Sequence, residues 1–446
     1  MSAPSRSIVE SPPRPPERGL GVVDASLLVV GSIVGAGIFL MSPYVAQEVR
    51  SPAVFLGVWV LGGVVALSGA LSNGELGGLF MRSGGEYVYL REAYGPLFGF
   101  LSGWTSFWIA FPGTIATLAA GFGVSVAGML GLKSATAPLA IGVVAILVLT
   151  FVNALGLSPG KWVLNALSGA KLAAFAALLG LGVIFGPRGA HSAANPLAGG
   201  DSAAGIALAL VPVLFAYSGW NAATYVAGEM RDPGRALGRS LALGTALCAL
   251  LYVAVNAAYL LAMPLSELAN ASDPARVTAL RLGGPRAAIV LAPLVALCIF
   301  NSLQATVLVG PHIYHAMAGD GLFFAPLGRT HPKTRVPLTA LVVQAAVAIV
   351  ELLSKKFDQL VNFVMFAIIA FSTLTVFAVF VLRKARPQAP RPFKVPAYPL
   401  VPAVFVIVNA WVLWNVLVRG TKEALVGLAI VATGVPAYSV FRKRNR

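Results

Sequence analysis

The chain has 446 residues, of which 58% are hydrophobic and only 11% are charged, and its mean hydropathy is +0.83. Soluble domains carry roughly 25% charged residues, so this composition excludes an ordinary soluble protein and indicates an integral membrane protein in contact with a lipid bilayer. The formal net charge of +16 does not indicate a nucleic-acid partner, because the basic residues form short clusters between apolar stretches, as in loops that face anionic lipid.

Apolar stretches long enough to cross a bilayer recur along the chain. A transmembrane helix needs about 20 apolar residues, and counting such stretches predicts an all-α integral membrane protein with twelve transmembrane helices. The proline-rich residues 1–20 are expected to form a disordered cytoplasmic tail. The twelve predicted spans are 22–47, 53–81, 96–127, 136–156, 161–186, 203–230, 239–263, 286–317, 336–354, 358–383, 396–417 and 421–441.

The first predicted span contains a glycine-rich segment, residues 31–39 with the sequence GSIVGAGIF. Each glycine costs roughly 1 kcal/mol in a helix interior, so this helix is expected to open partway across the membrane. Opened backbone at that depth is tolerated only where it faces protein or a water-filled cavity. The segment is therefore a candidate substrate site.

The fifth predicted span contains Lys171, about ten residues from its start. A lysine at the centre of a bilayer costs on the order of 2.5–3.5 kcal/mol, so this side chain is expected to face the protein interior. The alternative is that its long stem lets the amine reach the membrane surface.

The sixth predicted span contains a second candidate interruption, residues 215–221 with the sequence FAYSGWN, preceded by Pro212. Two interruptions five spans apart favour a pair of inverted five-helix repeats. The alternative is that these small residues merely let neighbouring helices pack closely.

The distribution of the basic residues predicts the orientation of the chain. With twelve spans and a cytoplasmic N-terminus, 21 basic residues fall on the cytoplasmic side, 10 fall outside, and Lys171 lies within a span. By the positive-inside rule, both termini are expected in the cytoplasm of a multi-pass protein of the cell inner membrane.

The two glycine-containing segments carry a family resemblance. GSIVGAGIF resembles the first-helix signature of amino acid transporters of the amino acid–polyamine–organocation superfamily, and FAYSGWN resembles the sixth-helix signature of its L-type branch. The resemblance implies a LeuT-like fold, with a ten-helix transport core over 21–384 and helices 11 and 12 with a basic tail over 385–446. Similar motifs continue at Glu75-Leu76-Gly77, Ser83-Gly84-Gly85-Glu86-Tyr87, Tyr94-Gly95-Pro96, Glu229-Met230 with Pro233, and 391–396 (RPFKVP).

The resemblance also implies how a zwitterionic amino acid would be held. Helix N-termini expose N–H groups that suit a carboxylate, and helix C-termini expose carbonyls that suit an ammonium group. The amides around Ala36 and Gly37 would bind the carboxylate, although Ala36 stands where many relatives have a small hydroxyl residue. The amine would be bound by the carbonyls of Ile33, Phe215 and Ser218, and Phe215 would also be an aromatic gate. Asn221 is expected either to line the cavity below the gate or to be a packing residue whose polar group bonds to backbone, and Phe363 is a further candidate for the side-chain pocket.

The resemblance implies that the ammonium group of Lys171 occupies the place where sodium-coupled relatives bind a sodium ion, between the fifth helix and the broken first helix. The implied function is a sodium-independent exchanger of neutral L-amino acids. If Lys171 instead releases a proton during the cycle, the protein is a proton-coupled symporter. An amino acid sensor without transport is the alternative from another class.

No soluble cofactor, metal site or enzymatic activity is expected, since the chain has no HExxH, P-loop or GxSxG motif. In the eukaryotic branch a cysteine between the third and fourth spans tethers a heavy chain. Residues 130–138 contain no cysteine, so a stand-alone prokaryotic-type subunit without a disulfide-linked heavy chain is expected.

Three other polar features receive structural interpretations. Glu75 is expected to pair locally rather than to carry protons. Glu229 is expected to form a salt-bridge cluster or inner gate with Arg231, Arg235 and Arg239. The basic residues 383–394 are interpreted as a topology signal that faces anionic lipid.

Overall fold

The computed structural model describes residues 19–189, 200–354, 357–418 and 422–444, so most of the predicted tail lies outside the described residues. Within these ranges the chain is helical, with one isolated β-bridge between Leu20 and Met230. A π-helix at Ser106–Ala110 joins α6 to α7, and 3-10 turns lie at Ala227–Glu229 and Ala325–Gly328. The α-helices are α1 Val22–Ile33, α2 Ala36–Leu40, α3 Ser42–Glu48, α4 Pro52–Phe80, α5 Glu86–Tyr94, α6 Pro96–Thr105, α7 Phe111–Met129, α8 Ala137–Ala154, α9 Leu157–Gly189, α10 Ala203–Tyr217, α11 Ala222–Tyr225, α12 Pro233–Ala262, α13 Leu265–Leu268, α14 Pro274–Val309, α15 Pro311–Gly319, α16 Leu338–Ser354, α17 Phe357–Ala385, α18 Leu400–Val418 and α19 Lys422–Arg444.

Many of these helices are long and apolar enough to cross a membrane. In the described part of the chain, nine segments meet this criterion by length and composition. Three shorter apolar helices, Trp162–Ala177, Ala203–Tyr217 and Leu338–Ser354, lie between them in the chain. The nine long segments are Val22–Leu40, Pro52–Phe80, Pro96–Met129, Ala137–Ala154, Pro233–Ala262, Pro274–Gly319, Val364–Ala385, Leu400–Val418 and Leu425–Lys443.

Proline and glycine set many of the helix boundaries. Proline occupies the first position of α4, α6, α12, α14 and α15, where its missing N–H removes no helical hydrogen bond. Within α14, Gly284 has a φ of +74° and bends the helix. The long helices are therefore divided at positions that the sequence itself marks.

The first helix is interrupted inside the glycine-rich segment. α1 ends at Ile33, and α2 begins at Ala36 after the non-helical residues Val34 and Gly35. A Cβ atom at Gly35 would lie 2.6 Å from the Ser302 Oγ of α14. Only glycine lets the opened backbone approach α14 this closely.

The sixth predicted span is interrupted in the same way. α10 ends at Tyr217, and the chain turns through Ser218–Asn221 before α11. Gly219 has a φ of +101°, a conformation that glycine adopts without strain, and a Cβ atom there would lie 2.8 Å from the Cβ of Ser32. A Cβ atom at Gly37 would lie 2.4 Å from the Cα of Ala216. The two interruptions therefore pack directly against each other.

Glu75 at the end of α4 is paired, as expected, but its partners are not local: they lie at the end of α17 and in the loop that follows it. Its carboxylate accepts hydrogen bonds from Arg383 Nε at 2.8 Å, from Arg383 Nη2 at 2.6 Å and from the Val395 N–H at 2.7 Å, and Arg391 Nε lies 3.2 Å away. The interpretation of residues 383–394 as a lipid-facing signal is thus wrong for Arg383 and Arg391. These two side chains neutralise a carboxylate that is only 2% exposed and tie the end of α17 and the following loop to α4.

We expect Gly37→Ala to destabilise the protein, because the added methyl group meets the backbone of α10 at the contact between the interruptions. Overpacking of this kind costs typically about 1–3 kcal/mol. Gly57→Ala in α4 is the matched control, since nothing lies within 4 Å of its Cβ position. The thermal unfolding midpoint of the detergent-solubilised protein should fall for Gly37→Ala alone. Equal midpoints for the two variants would contradict the close contact.

We expect Glu75→Gln to destabilise the protein strongly, because it leaves the partly buried Arg383 and Arg391 without their counter-charge. Removal of one partner from a buried ion pair costs about 3–5 kcal/mol. Glu267→Gln breaks the exposed pair with Arg281 and should cost no more than about 1 kcal/mol. Denaturant unfolding of both variants checks this order. A loss at Glu75 no larger than that at Glu267 would refute the structural role.

Candidate functional site

A cavity of about 110 Å³ lies beside the interruption between α10 and α11. This volume holds several water molecules, since each needs roughly 10–15 Å³ measured in this way. Its wall combines the interruption with residues of α4, α5, α6, α7, α14, α17 and α18, and with Ser32 near the end of α1. Among the residues that line it, only Glu86 is an acid or a base other than tyrosine. The cavity is therefore a mainly apolar chamber with a few polar groups, bordered by the second interruption and by Ser32 near the end of α1.

The predicted substrate-binding residues fall into three groups: those that line the cavity, those that are buried without lining it, and those whose side chains the structure does not describe. Ser218 and Asn221 line the cavity. Ile33, Gly37 and Phe215 are buried next to it and do not line it, and the side chain of Ala36 lies outside what the structure describes. Phe363 lies in α17 shortly before the cavity-lining Met365, and its side chain is likewise not described.

The carbonyl groups at the two helix ends already have donors. The Phe215 carbonyl accepts hydrogen bonds from the Ser218 N–H at 3.0 Å and from the Ser218 hydroxyl at 2.7 Å. The Ile33 carbonyl accepts one from the Tyr252 hydroxyl at 2.8 Å. A carbonyl oxygen has two lone pairs. The Ile33 carbonyl therefore keeps one lone pair for a further donor, whereas both lone pairs of the Phe215 carbonyl already accept a hydrogen bond.

Lys171 points into the protein and binds the first interruption. Its side chain is fully buried, and the amine donates to the Gly31 carbonyl at 3.1 Å, to the Val34 carbonyl and to Ser302 Oγ at 3.3 Å. The Ser302 hydroxyl lies 2.6 Å and 2.8 Å from the same two carbonyl oxygens. The amine thus does not reach the membrane surface; it brings a positive charge to the carbonyls that the open helix leaves without helical donors.

Tyr252 of α12 connects the two interruptions and was not predicted from the sequence. Its hydroxyl lies 2.8 Å from the Ile33 carbonyl and 3.0 Å from the Ala216 carbonyl, so one side chain contacts the ends of both α1 and α10. A buried tyrosine usually has a partner for its hydroxyl, which was the only available signal. The sequence does not show which carbonyls supply that partner.

Glu86 and Asn221 form a second polar contact that the sequence did not predict. The Asn221 amide nitrogen, Nδ2, donates to the Glu86 carboxylate at 3.0 Å and lies 3.2 Å from the Tyr225 hydroxyl. Gly85, with a φ of +50°, packs against the Tyr225 ring and starts α5 so that Glu86 turns inward. Burial raises the pKa of Glu86 to about 7, and the hydrogen bond from Asn221 opposes this shift.

Glu229 has a different partner from the one expected. Its carboxylate lies 3.7 Å from His312 Nδ1 of α15, and the other oxygen is buried without a hydrogen-bond partner in the described structure. No ion pair joins it to Arg231, Arg235 or Arg239 among the described residues, so the predicted arginine cluster is wrong. Pro233, which starts α12, separates Arg231 from Arg235 and Arg239, which lie within that helix.

The chain is similar to known amino acid transporters over nearly its whole length. The family model for amino acid permeases matches residues 20–435. The serine/threonine exchanger SteT of Bacillus subtilis is 30% identical over 432 residues, covering 96% of this chain and 98% of that protein. The b(0,+)-type amino acid transporter 1 of Mus musculus is 29% identical over 95% of this chain and 88% of that protein. The large neutral amino acids transporter small subunit 2 of Homo sapiens is 30% identical over 95% of this chain and 80% of that protein.

We expect Tyr252→Phe to weaken the contact between the interruptions, because it leaves the Ile33 and Ala216 carbonyls without their common donor. An unsatisfied buried polar group costs about 1–3 kcal/mol. Tyr259→Phe on the same helix is the matched control, since the buried Tyr259 hydroxyl has no hydrogen-bond partner in the described structure. Thermal unfolding should separate the two variants, with only Tyr252→Phe less stable. Equal stability would show that the bridge contributes nothing.

Proposed function

Because this chain belongs to the amino acid permease family, we propose that it is a sodium-independent exchanger of neutral L-amino acids. The observation that carries the proposal is the contact between two interrupted helices beside a cavity with a few polar groups in its wall, with Lys171 bound at the first interruption. The matched relatives are named as transporters, and the apolar helices together with the permease family support a multi-pass membrane protein without enzymatic activity. Exchange is also the activity that the name of the Bacillus subtilis relative states for that protein.

The interruptions suit both ends of a zwitterion. The N–H groups of Ala36 and Gly37 belong to the first turn of α2 and have no intrahelical acceptor, so they are proposed to bind the carboxylate. The carbonyls of Ile33 and Ser218 are proposed to bind the ammonium group, with Ile33 best supported because it retains an acceptor position. The Phe215 carbonyl, whose two acceptor positions are filled by Ser218, would join them only when the Ser218 hydroxyl turns away. Ser218 and Asn221 then lie next to the substrate at the cavity wall, with Phe215 as the gate and Phe363 in the pocket for the side chain.

Lys171 explains why sodium would not be required. The Lys171 ammonium group is a monovalent cation, and it is bound by the carbonyls of Gly31 and Val34 and by the hydroxyl of Ser302. Since the charge is covalently attached, it does not depend on the external sodium concentration. During alternating access the amine would hold α9 to α1 while substrate draws the interruptions together.

The proposed architecture is the LeuT-like fold with twelve spans. The nine long apolar segments together with the three shorter apolar helices occupy the positions of the twelve predicted spans, in order. We propose a transport core over 21–384, two further helices and a basic tail over 385–446, and a cytoplasmic tail over 1–20. The excess of basic residues on one side supports a location in the cell membrane with both termini in the cytoplasm.

We further propose that no heavy chain is attached by a disulfide. The two cysteines, Cys248 and Cys298, are both buried, so neither is placed to pair with another protein. The predicted loop after α7 contains no cysteine either.

Exchange in proteoliposomes tests the proposal. The purified protein, reconstituted without sodium, should take up labelled neutral amino acids only when the vesicles are preloaded with an amino acid, with or without a pH gradient. Lys171→Met should lower this exchange by about tenfold or more, because the carbonyls of the first interruption lose a charged donor worth roughly 1.5–3 kcal/mol. Lys133→Met, in an exposed position, is the control and should leave exchange intact.

Other outcomes identify the alternatives. Accumulation that requires a pH gradient and disappears in Lys171→Met would indicate a proton-coupled symporter, which the ionisable amine at the interruption favours as the second candidate. Binding of amino acids without any counterflow would indicate a sensor.

A further inference from the structure

The orientation of the Asn221 side-chain amide is set by its neighbours. Its nitrogen, Nδ2, has two protons to donate, and the structure places Glu86 at 3.0 Å and the Tyr225 hydroxyl at 3.2 Å from it. An ionised carboxylate can only accept hydrogen bonds, so the opposite orientation would bring two acceptors face to face. An ionised Glu86 therefore fixes the nitrogen toward itself.

The oxygen of the same amide, Oδ1, is left for the cavity. It accepts no hydrogen bond from the described residues, it is not among the buried polar atoms, and both Asn221 and Glu86 line the cavity. As long as Glu86 is ionised, the Asn221 oxygen therefore presents a hydrogen-bond acceptor to the cavity.

Other hydroxyl groups of the cavity wall also turn their protons away from it. Ser218 donates to the Phe215 carbonyl at 2.7 Å, Thr306 to the Ser302 carbonyl at 2.8 Å, and Ser372 to the Ile368 carbonyl at 2.6 Å. Each of these oxygens still has lone pairs, but its only proton is used within the protein. At these three positions the wall offers acceptors and no donor. Ser32 and Ser102 also line the cavity, and their buried hydroxyl groups have no hydrogen-bond partner in the described structure, so their protons stay available.

We propose that Glu86 is a positioning residue that holds the Asn221 amide oxygen toward the substrate and thereby makes the transporter select amino acids whose side chain donates a hydrogen bond, above all a hydroxyl group. The inference rests on the proposed function, because it concerns the substrate of the same cavity. A hydroxyl side chain satisfies the Asn221 oxygen, whereas an apolar side chain of the same shape leaves it without a donor. Threonine and valine are such a pair, since they differ only by a hydroxyl in place of a methyl group.

Protonation of Glu86 weakens this selection. Tyr225 of α11 and Tyr89 of α5 face the carboxylate, Tyr314 of α15 lies next to Tyr225, and no lysine, arginine, histidine or second carboxylate pairs with Glu86 among the described residues. Without a cationic partner, burial raises the pKa of the Glu86 carboxyl group to about 7. A protonated carboxyl group can itself donate to Oδ1, so the amide is then free to turn its nitrogen toward the cavity. Selectivity should be present at a pH above this pKa and decline below it.

The test compares threonine and valine in proteoliposomes that hold the full-length protein. Uptake of labelled L-threonine and labelled L-valine is measured against internal unlabelled amino acid, with equal pH inside and outside, from pH 5.5 to pH 8.5. The wild type should have the higher kcat/KM for threonine, and this preference should shrink as the pH falls through neutrality. Glu86→Leu should lower the ratio of the two kcat/KM values by roughly threefold to tenfold, the size of one net hydrogen bond.

Two variants separate positioning from a general structural role. Glu86→Gln can still accept the hydrogen bond from Asn221 through its amide oxygen, so it should keep much of the preference for threonine and lose the pH dependence. Glu92→Gln lies on the same helix but pairs with Arg91 and Arg386 outside the cavity, and it should behave as the wild type.

The possible failures are distinguishable. If no amino acid is exchanged by the wild type, the proposed function fails. If exchange occurs but valine is handled as well as threonine, or if Glu86→Leu keeps the wild-type ratio, the inference about Glu86 is overturned while exchange stands. A Glu86→Gln variant with the wild-type pH profile would overturn the role of the carboxyl group in the pH dependence.

Discussion

Backbone amides and carbonyls that leave a helix inside a membrane need partners, because lipid provides none. In this protein the requirement arises twice, at Val34–Gly35 and at Ser218–Asn221, and the two open segments are packed against each other. Three side chains supply most of the recorded donors: Lys171 and Ser302 at the carbonyls of the first segment, and Tyr252 between the ends of α1 and α10. All three reach the open backbone from other helices, so the interruptions are stable only in the assembled fold.

The two interruptions have different neighbours, which explains how the site can hold a substrate and still change its conformation. One side of the first interruption is permanently occupied by the Lys171 amine, which connects α9 and α14 to α1. The second interruption borders the cavity, where Ser218 and Asn221 line the wall. Glycine at positions 35, 37 and 219 lets the segments touch without side chains between them. An amino acid with one charged group for each segment is therefore suited to close the remaining gap, which is the physical basis of the proposed exchange.

The sequence allowed the main features to be predicted where they depend on local chemistry. Glycine-rich backbone marked the first interruption, small and polar residues after Pro212 marked the second, and a lysine within an apolar span marked Lys171 as inward-facing. The carboxylate at the end of α4 indicated an ion pair, but not its partners, Arg383 and Arg391, which lie more than 300 residues away. Partners distant in the chain were not predictable. Tyr252 and Glu86 find their acceptor and donor 219 and 135 residues away, and Glu229 meets His312 instead of the nearby arginines. Periodicity and composition carry no information about which distant side chain completes such a contact.

The most direct test is an experimental structure of the purified protein with a bound neutral amino acid, at a resolution that shows the main chain. The account predicts density for the amino acid between the two interruptions, with its carboxylate within hydrogen-bonding distance of the amides at Ala36 and Gly37 and its amine facing the end of α1. Helices that run unbroken through residues 33–36 and 218–221, or an amino acid bound away from both segments, would contradict it.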